Sequence, residues 1–81
     1  MNIYVGNLNY EVQESELREI MEEFGTVSSV KLIIDRESGR SKGFCFVEMD
    51  DSNEAKEAIR SLNGKMHRGR PMAVKEAIPR T

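Results

Sequence analysis

The sequence predicts an α+β domain in which two helices cover one face of a four-stranded antiparallel sheet. Three observations predict it. Lys42–Met49 alternates in side-chain character as a strand does, and so does Ile3–Leu8. Two apolar stripes of helical period lie between strand-like segments, giving the order β–α–β–β–α–β. Each helix has a single stripe to bury, so both must cover the same face of the sheet and leave the other to solvent.

Strand one, Ile3–Leu8, puts Ile3 and Val5 on one side and Tyr4 on the other. Helix one, at about 14–24, carries Leu17, Ile20, Met21 and Phe24 at i, i+3, i+4 and i+7. Gln13 stands at its N-cap and is a weak cap, and Gly25 suits a left-handed C-terminal position. Strand two runs from about Val27 to Ile34, with Val30 and Leu32 inward and Lys31 and Ile33 outward. A polar loop at 35–41 leads into the Lys42–Met49 strand. Asp51 with Glu54 reads as a capping box for helix two, whose stripe is Ala55, Ala58, Ile59 and Leu62 and whose end is Asn63-Gly64. Lys65–Arg70 is a basic turn. Pro71–Glu76 is strand four, with Met72 and Val74 inward and Ala73 and Lys75 outward. The domain spans 1–77, with a short tail at 78–81. Right-handed connections between these elements give a ferredoxin-like sandwich.

Strand three is the informative one. Gly43, Cys45, Val47 and Met49 share a face that suits a core. Lys42, Phe44, Phe46 and Glu48 share the other, which sets two phenylalanines among charged neighbours. Large rings on a solvent face need a reason. A cation beside flat rings fits a surface that stacks bases and neutralises phosphate.

Composition bounds the alternatives. Eighty-one residues make one domain. With 38% hydrophobic and 32% charged residues and no apolar run near the ~18–20 residues of a membrane span, the chain is expected to be soluble, without a signal peptide and without membrane association. A lone cysteine cannot form an internal disulfide, and Cys45 falls on the inward face, so a reducing cytoplasm is the expected compartment. The net charge of −2 is unevenly spread: the two helices hold eight acids against three bases, the remainder six against nine. The acidity belongs to the helices, as solvated faces, and the strands and loops are mildly basic.

Ile3–Leu8 and Lys42–Met49 resemble the two signature motifs of the RNA recognition motif family, whose octamer runs K/R-G-F/Y-G/A-F-V-x-F/Y. Lys42, Gly43, Phe44, Phe46 and Val47 match that octamer. Cys45 and Met49 depart from it on the inward face, where they should alter packing rather than binding. The order and spacing of the motifs agree with the family as well. The resemblance covers nearly the whole chain and is closest to small single-domain members of bacteria and organelles.

The resemblance implies that Tyr4, Phe44 and Phe46 stack two or three bases of single-stranded RNA. Burying these rings instead would also bury Lys42 and Glu48. Lys42 is expected to reach a phosphate or a base edge. Lys31, Ile33 and Lys75 flank the same face by alternation. Arg36 and Arg40 in one loop, and Arg68 and Arg70 in another, form an expected phosphate-binding rim; for each of these charged residues the competing reading is a merely solvated side chain. Asn7 is expected to shape the strand-one exit, and His67 to be exposed and idle. No ligand set for a metal, no phosphate loop of Walker spacing and no nucleophile–base pair is visible, so no cofactor and no catalysis are expected.

The function so implied is single-stranded RNA binding by a monomer, in the role of an RNA chaperone or post-transcriptional regulator, with single-stranded DNA as an alternative ligand. One rival is a protein–protein interaction module using the acidic helical face. It is disfavoured because relatives of that kind commonly lose the sheet aromatics and carry Arg-x-Phe near strand four, where this chain has Arg70-Pro71-Met72. The other is a ferredoxin-like enzyme such as an acylphosphatase, which would need an anion-cradling loop that the sequence lacks.

Overall fold

The architecture comes from a computed structural model that describes residues 1–77; the expected tail at 78–81 lies outside the described residues. The elements are β1 (Asn2–Gly6), α1 (Glu14–Glu22), β2 (Ser29–Ile34), β3 (Ser41–Glu48), α2 (Ser52–Leu62), β4 (Met66–His67), β5 (Arg70–Pro71) and β6 (Ala73–Ala77). Strands β2-β3-β1-β6 form one sheet in that order, every pair antiparallel. This is the ferredoxin-like arrangement the sequence implies.

Inward-facing Ile3, Val5, Cys45, Val47, Met49 and Val74 join Leu17 and Met21 of α1 and Ala55, Ala58 and Leu62 of α2 in one buried core. Ile20, Phe24 and Ile59 pack against its margin. Both helices therefore spend their apolar stripes on the same side of the sheet. Cys45 is fully buried there, and burial pushes its thiol up to about 12, so it stays protonated and behaves as a small hydrophobe.

The helix ends follow their residues. Gln13 caps nothing with its side chain, and Glu14 and Glu16 in the first turn of α1 oppose the positive end of its dipole. The Asp51 carboxylate accepts from the N–H groups of Asn53 (2.8 Å) and Glu54 (3.0 Å), which satisfies two otherwise orphaned donors of α2. Glu54 does not complete a reciprocal box. Its carboxylate turns to the other end of α1 and accepts from Thr26 N–H at 3.3 Å. It lies against Gly25, whose φ of 159° is not left-handed helical, so that glycine is needed for the approach of Glu54 rather than for a C-cap.

Both outer strands carry side-chain caps that periodicity cannot reveal. Glu14 Oε2 accepts from Leu32 N–H at 2.8 Å on β2, and Asn63 Oδ1 accepts from Val74 N–H at 3.0 Å on β6. Each helix thus occupies a donor on a sheet edge that would otherwise be open to another strand.

Several boundaries differ from expectation. Strand one ends at Gly6 rather than Leu8, and α1 ends at Glu22 rather than near 24. Strand two begins at Ser29 rather than near Val27, and the expected strand at Pro71–Glu76 is really two elements. Arg70–Pro71 pairs with Met66–His67 in a small hairpin closed by Arg68 (φ 51°) and Gly69 (φ 83°), and the sheet strand starts afterwards at Ala73. Positive φ at both central residues is the geometry of a tight hairpin turn. The basic turn is therefore a structured arm.

Candidate nucleic-acid interface

The strand register sets a row of side chains across the open face. Lys31 of β2 pairs with Phe46 of β3, Phe46 with Tyr4 of β1, and Tyr4 with Lys75 of β6. Two rings lie at the centre of the sheet with a lysine on each flank. Phe44 lies two residues from Phe46 on the same face. The three ring centroids are 5.8 Å (Tyr4–Phe44), 5.9 Å (Tyr4–Phe46) and 6.0 Å (Phe44–Phe46) apart, and the planes of Tyr4 and Phe44 differ by only 31°. Lys75 Nζ stands 5.4 Å from the Tyr4 ring centroid, within cation–π range. Phe46 remains 39% exposed, a large apolar side chain left in water on a sheet whose other face is completely covered.

The signature glycines hold these rings in place. A Cβ on Gly6 would come within 2.6 Å of Tyr4 ring carbons, so only glycine lets that ring lie down along β1. Gly43 has a φ of 85°, and its carbonyl accepts from Leu8 N–H at 2.9 Å, joining the start of β3 to the exit of β1. A side chain at Gly43 would be strained by that φ and crowded by the Leu8 carbonyl and the Tyr10 ring, each 3.2 Å away.

Lys42 is exposed at the head of β3, and Glu48 is exposed at its foot. Arg36 and Arg40 are exposed in the β2–β3 loop. Among the described residues Lys31, Lys42, Lys75, Arg36 and Arg40 make no ion pair. Ile33 is half-buried beside a register shift between Leu32 and Ile34, which interrupts the outward alternation of β2 at that point.

The hairpin residues depart from the expected rim. Arg68 is not a free loop cation: its Nε and Nη2 donate to the Glu16 carboxylate at 2.8 and 3.0 Å, a two-pronged pair that holds it against α1. His67, expected to be exposed and idle, is half-buried and bonded through Nε2 to the same carboxylate. Arg70 Nη2 donates to Asn7 Oδ1, and Asn7 Nδ2 donates to the Pro71 carbonyl, both at 2.7 Å. Asn7 takes a φ of 55° to do this, at the turn where the chain leaves β1. The hairpin is thus pinned to α1 by Glu16 and to the strand-one exit by Asn7. These contacts link positions 51 to 64 residues apart, and no local pattern could reveal them.

Arg68, assisted by His67, outweighs the effect of burial and lowers the Glu16 pKa from its ordinary 4.5 to about 2. A carboxylate with a depressed folded-state pKa stabilises the fold fully above its unfolded value and loses that contribution as it protonates in the folded state. Stability from this cluster should therefore fall as pH drops from about 4.5 towards about 2. In thermal melts from about pH 7 down to about 2, Glu16→Gln should be less stable near neutrality and lose less of its midpoint on acidification. Parallel acid dependence in the two proteins would contradict the assignment.

The RNA recognition motif family model matches residues 3–73. This chain belongs to the RNA recognition motif family. Among its relatives is RbpB of Nostoc sp. (strain PCC 7120), which bears the name of a candidate RNA-binding protein. It is 48% identical over 80 residues, spanning 99% of this chain and 78% of the relative. RbpA of Synechocystis sp. (strain PCC 6803), named in the same way, is 46% identical over 80 residues, with coverages of 99% and 79%. The crystal structure of the RNA-binding protein PG1 superposes with a TM-score of 0.95 at 52% identity, covering all of this chain and 98% of that one. The Rna15 RRM with bound GU RNA superposes with a TM-score of 0.85 at 29% identity, covering 94% of this chain and 81% of that one. Within this RRM the octamer is Lys42–Met49, and its two departures, Cys45 and Met49, are both fully buried.

Proposed function

We propose that this protein binds single-stranded RNA, as a monomer, on the open face of its sheet, with bases stacked on Tyr4, Phe44 and Phe46 and phosphates met by Lys31, Lys42 and Lys75. The observation that carries this reading is the row Lys31–Phe46–Tyr4–Lys75: two rings between two cations, on the face opposite both helices. Stacking on an aromatic ring contributes about 1–3 kcal/mol per base and tolerates any sequence, because every base has a π-face. The Rna15 RRM with its bound GU RNA supports the reading by its similarity of fold. Arg36 and Arg40 stand at the loop end of the same face as further phosphate ligands, whereas Arg68 would have to leave Glu16 to contribute.

The test is selection from a randomised single-stranded RNA library, with single-stranded DNA of the same length as competitor. Retention of RNA by the unaltered protein, and its loss when Tyr4, Phe44 and Phe46 are all replaced by alanine in a folded variant, is the expected result. Equal retention by both proteins would overturn the sheet as the binding surface.

A further inference from the structure

The β2–β3 loop is a closed turn that carries a serine between two arginines. Asp35 N–H donates to the Arg40 carbonyl and Gly39 N–H to the Asp35 carbonyl, each at 2.8 Å, so the two ends of the loop are tied together. Gly39 takes a φ of 72° with open space around it. Ser38 stands at the tip and is exposed, with exposed Arg36 two residues before it and exposed Arg40 two residues after. Its hydroxyl oxygen accepts a single long hydrogen bond, 3.3 Å, from Arg40 N–H. The core does not use Ser38, and neither signature motif includes it.

Ser38 also lines an open hollow of about 470 Å³ together with Arg40, Lys42 and Phe44. The hydroxyl therefore shares a hollow with two cations at the border of the stacking face. Arg36, Arg40 and Lys42 have no ion-pair partner among the described residues. Two acids stand near. Asp35 borders the hollow with one oxygen already committed to Glu37 N–H at 2.8 Å, and Glu37 is exposed outside it. A phosphoryl group on a serine carries a charge of about −1.5 to −2 and three strong acceptor oxygens. On Ser38 it would meet two unpaired cations and the Arg40 N–H already aimed at Oγ. Charge-assisted hydrogen bonds of that kind are roughly twice as strong as neutral ones.

We propose that Ser38 is a phosphorylation site, and that its phosphate engages Arg40 and Lys42 and so withdraws them from RNA. The partner is a serine kinase that reads arginine beside its target. A nucleoside triphosphate supplies the group. The bond from its γ-phosphorus to the bridging oxygen breaks, a bond from that phosphorus to Ser38 Oγ forms, and the nucleoside diphosphate leaves. The hydroxyl proton passes to the kinase's base and then to solvent. The effect on RNA rests on the RNA-binding reading above; the modification itself does not.

The folded full chain is first incubated with a nucleoside triphosphate and an arginine-directed serine kinase, and the product is mapped by mass spectrometry. Phosphate should appear on Ser38; phosphate on Ser41 alone, or none, would overturn the site. A chain with phosphoserine incorporated at position 38 during translation then tests the consequence. In phosphorus NMR its second ionisation should lie about half a pH unit or more below the ordinary value of about 6, because the cations favour the dianion, and Arg40→Gln should move it back up. Its affinity for single-stranded RNA should fall about tenfold, and log K against log salt should flatten by about 1.4, two phosphate contacts at about 0.7 each. Ser38→Ala should bind as the unaltered protein does, which assigns the loss to the phosphate rather than to the missing hydroxyl. An unshifted ionisation, or unchanged affinity and slope, would overturn the engagement of Arg40 and Lys42. If the unaltered protein binds no RNA, the RNA-binding reading fails, while the mapping and the ionisation still decide the site.

Discussion

Phe46→Ala should weaken single-stranded RNA binding by roughly 1–3 kcal/mol, about 5- to 150-fold in Kd, and Phe44→Ala should do the same. Phe46 lies at the centre of the cross-strand row, with Tyr4 on one side and Lys31 on the other, and 39% of it is in water before any ligand arrives. Removing it deletes a stacking surface without opening a cavity in the core, since the core lies on the opposite face. The thermal midpoint should therefore change far less than the affinity. The two losses should not add, because the rings touch one another, with centroids 6.0 Å apart in an edge-to-face arrangement; removing one alters the seat of the other. Isothermal titration on folded protein, paired with thermal melts, checks both halves. A variant that unfolds while its remaining folded fraction binds normally would show that these rings serve the core.

Much of this face was legible in the sequence. A strand has a side-chain period of two, so the facing of Lys42–Met49 follows once its core side is chosen, and Gly43, Cys45, Val47 and Met49 are indeed the buried set. The helix stripes were legible for the same reason at a period of 3.6. Periodicity says nothing about contacts between distant segments. The Glu16 cluster joins α1 to a hairpin more than fifty residues away, so Arg68 read as a free cation and His67 as an idle one. The hairpin itself was missed because Met66–His67 and Arg70–Pro71 are too short to show alternation. Its turn needs a positive φ at Arg68, a residue type with no preference for it. Tyr10 escaped notice because it lies outside both motifs; the one available signal was a large aromatic between the polar neighbours Asn9 and Glu11. The edge caps from Glu14 and Asn63 have no local signature at all.

Raising the salt concentration should separate the charge contribution from stacking. The net charge of −2 would repel RNA if it were spread evenly, but the acids are concentrated on α1 and α2, behind the sheet, and the cations of the open face carry no ion pairs among the described residues. If about two to four phosphates are neutralised, log K should fall against log salt with a slope of about −1.5 to −3 for a single strand, or roughly 8- to 60-fold in affinity over a fourfold rise in salt. Stacking supplies most of what remains, and an affinity around micromolar is expected for one small domain with so few anchors. Lys42→Gln removes one contact and should flatten the slope by about 0.7. Glu19→Gln with Glu22→Gln changes the net charge twice as much and in the favourable direction, yet both residues are exposed on α1 and should barely move either slope or affinity. Local geometry, rather than total charge, decides the difference, because charges beyond about 10 Å are largely screened at 0.1 M salt. A slope near zero, or a strong response to the α1 changes with none at Lys42, would move the binding surface to the helices and revive the protein-interaction reading.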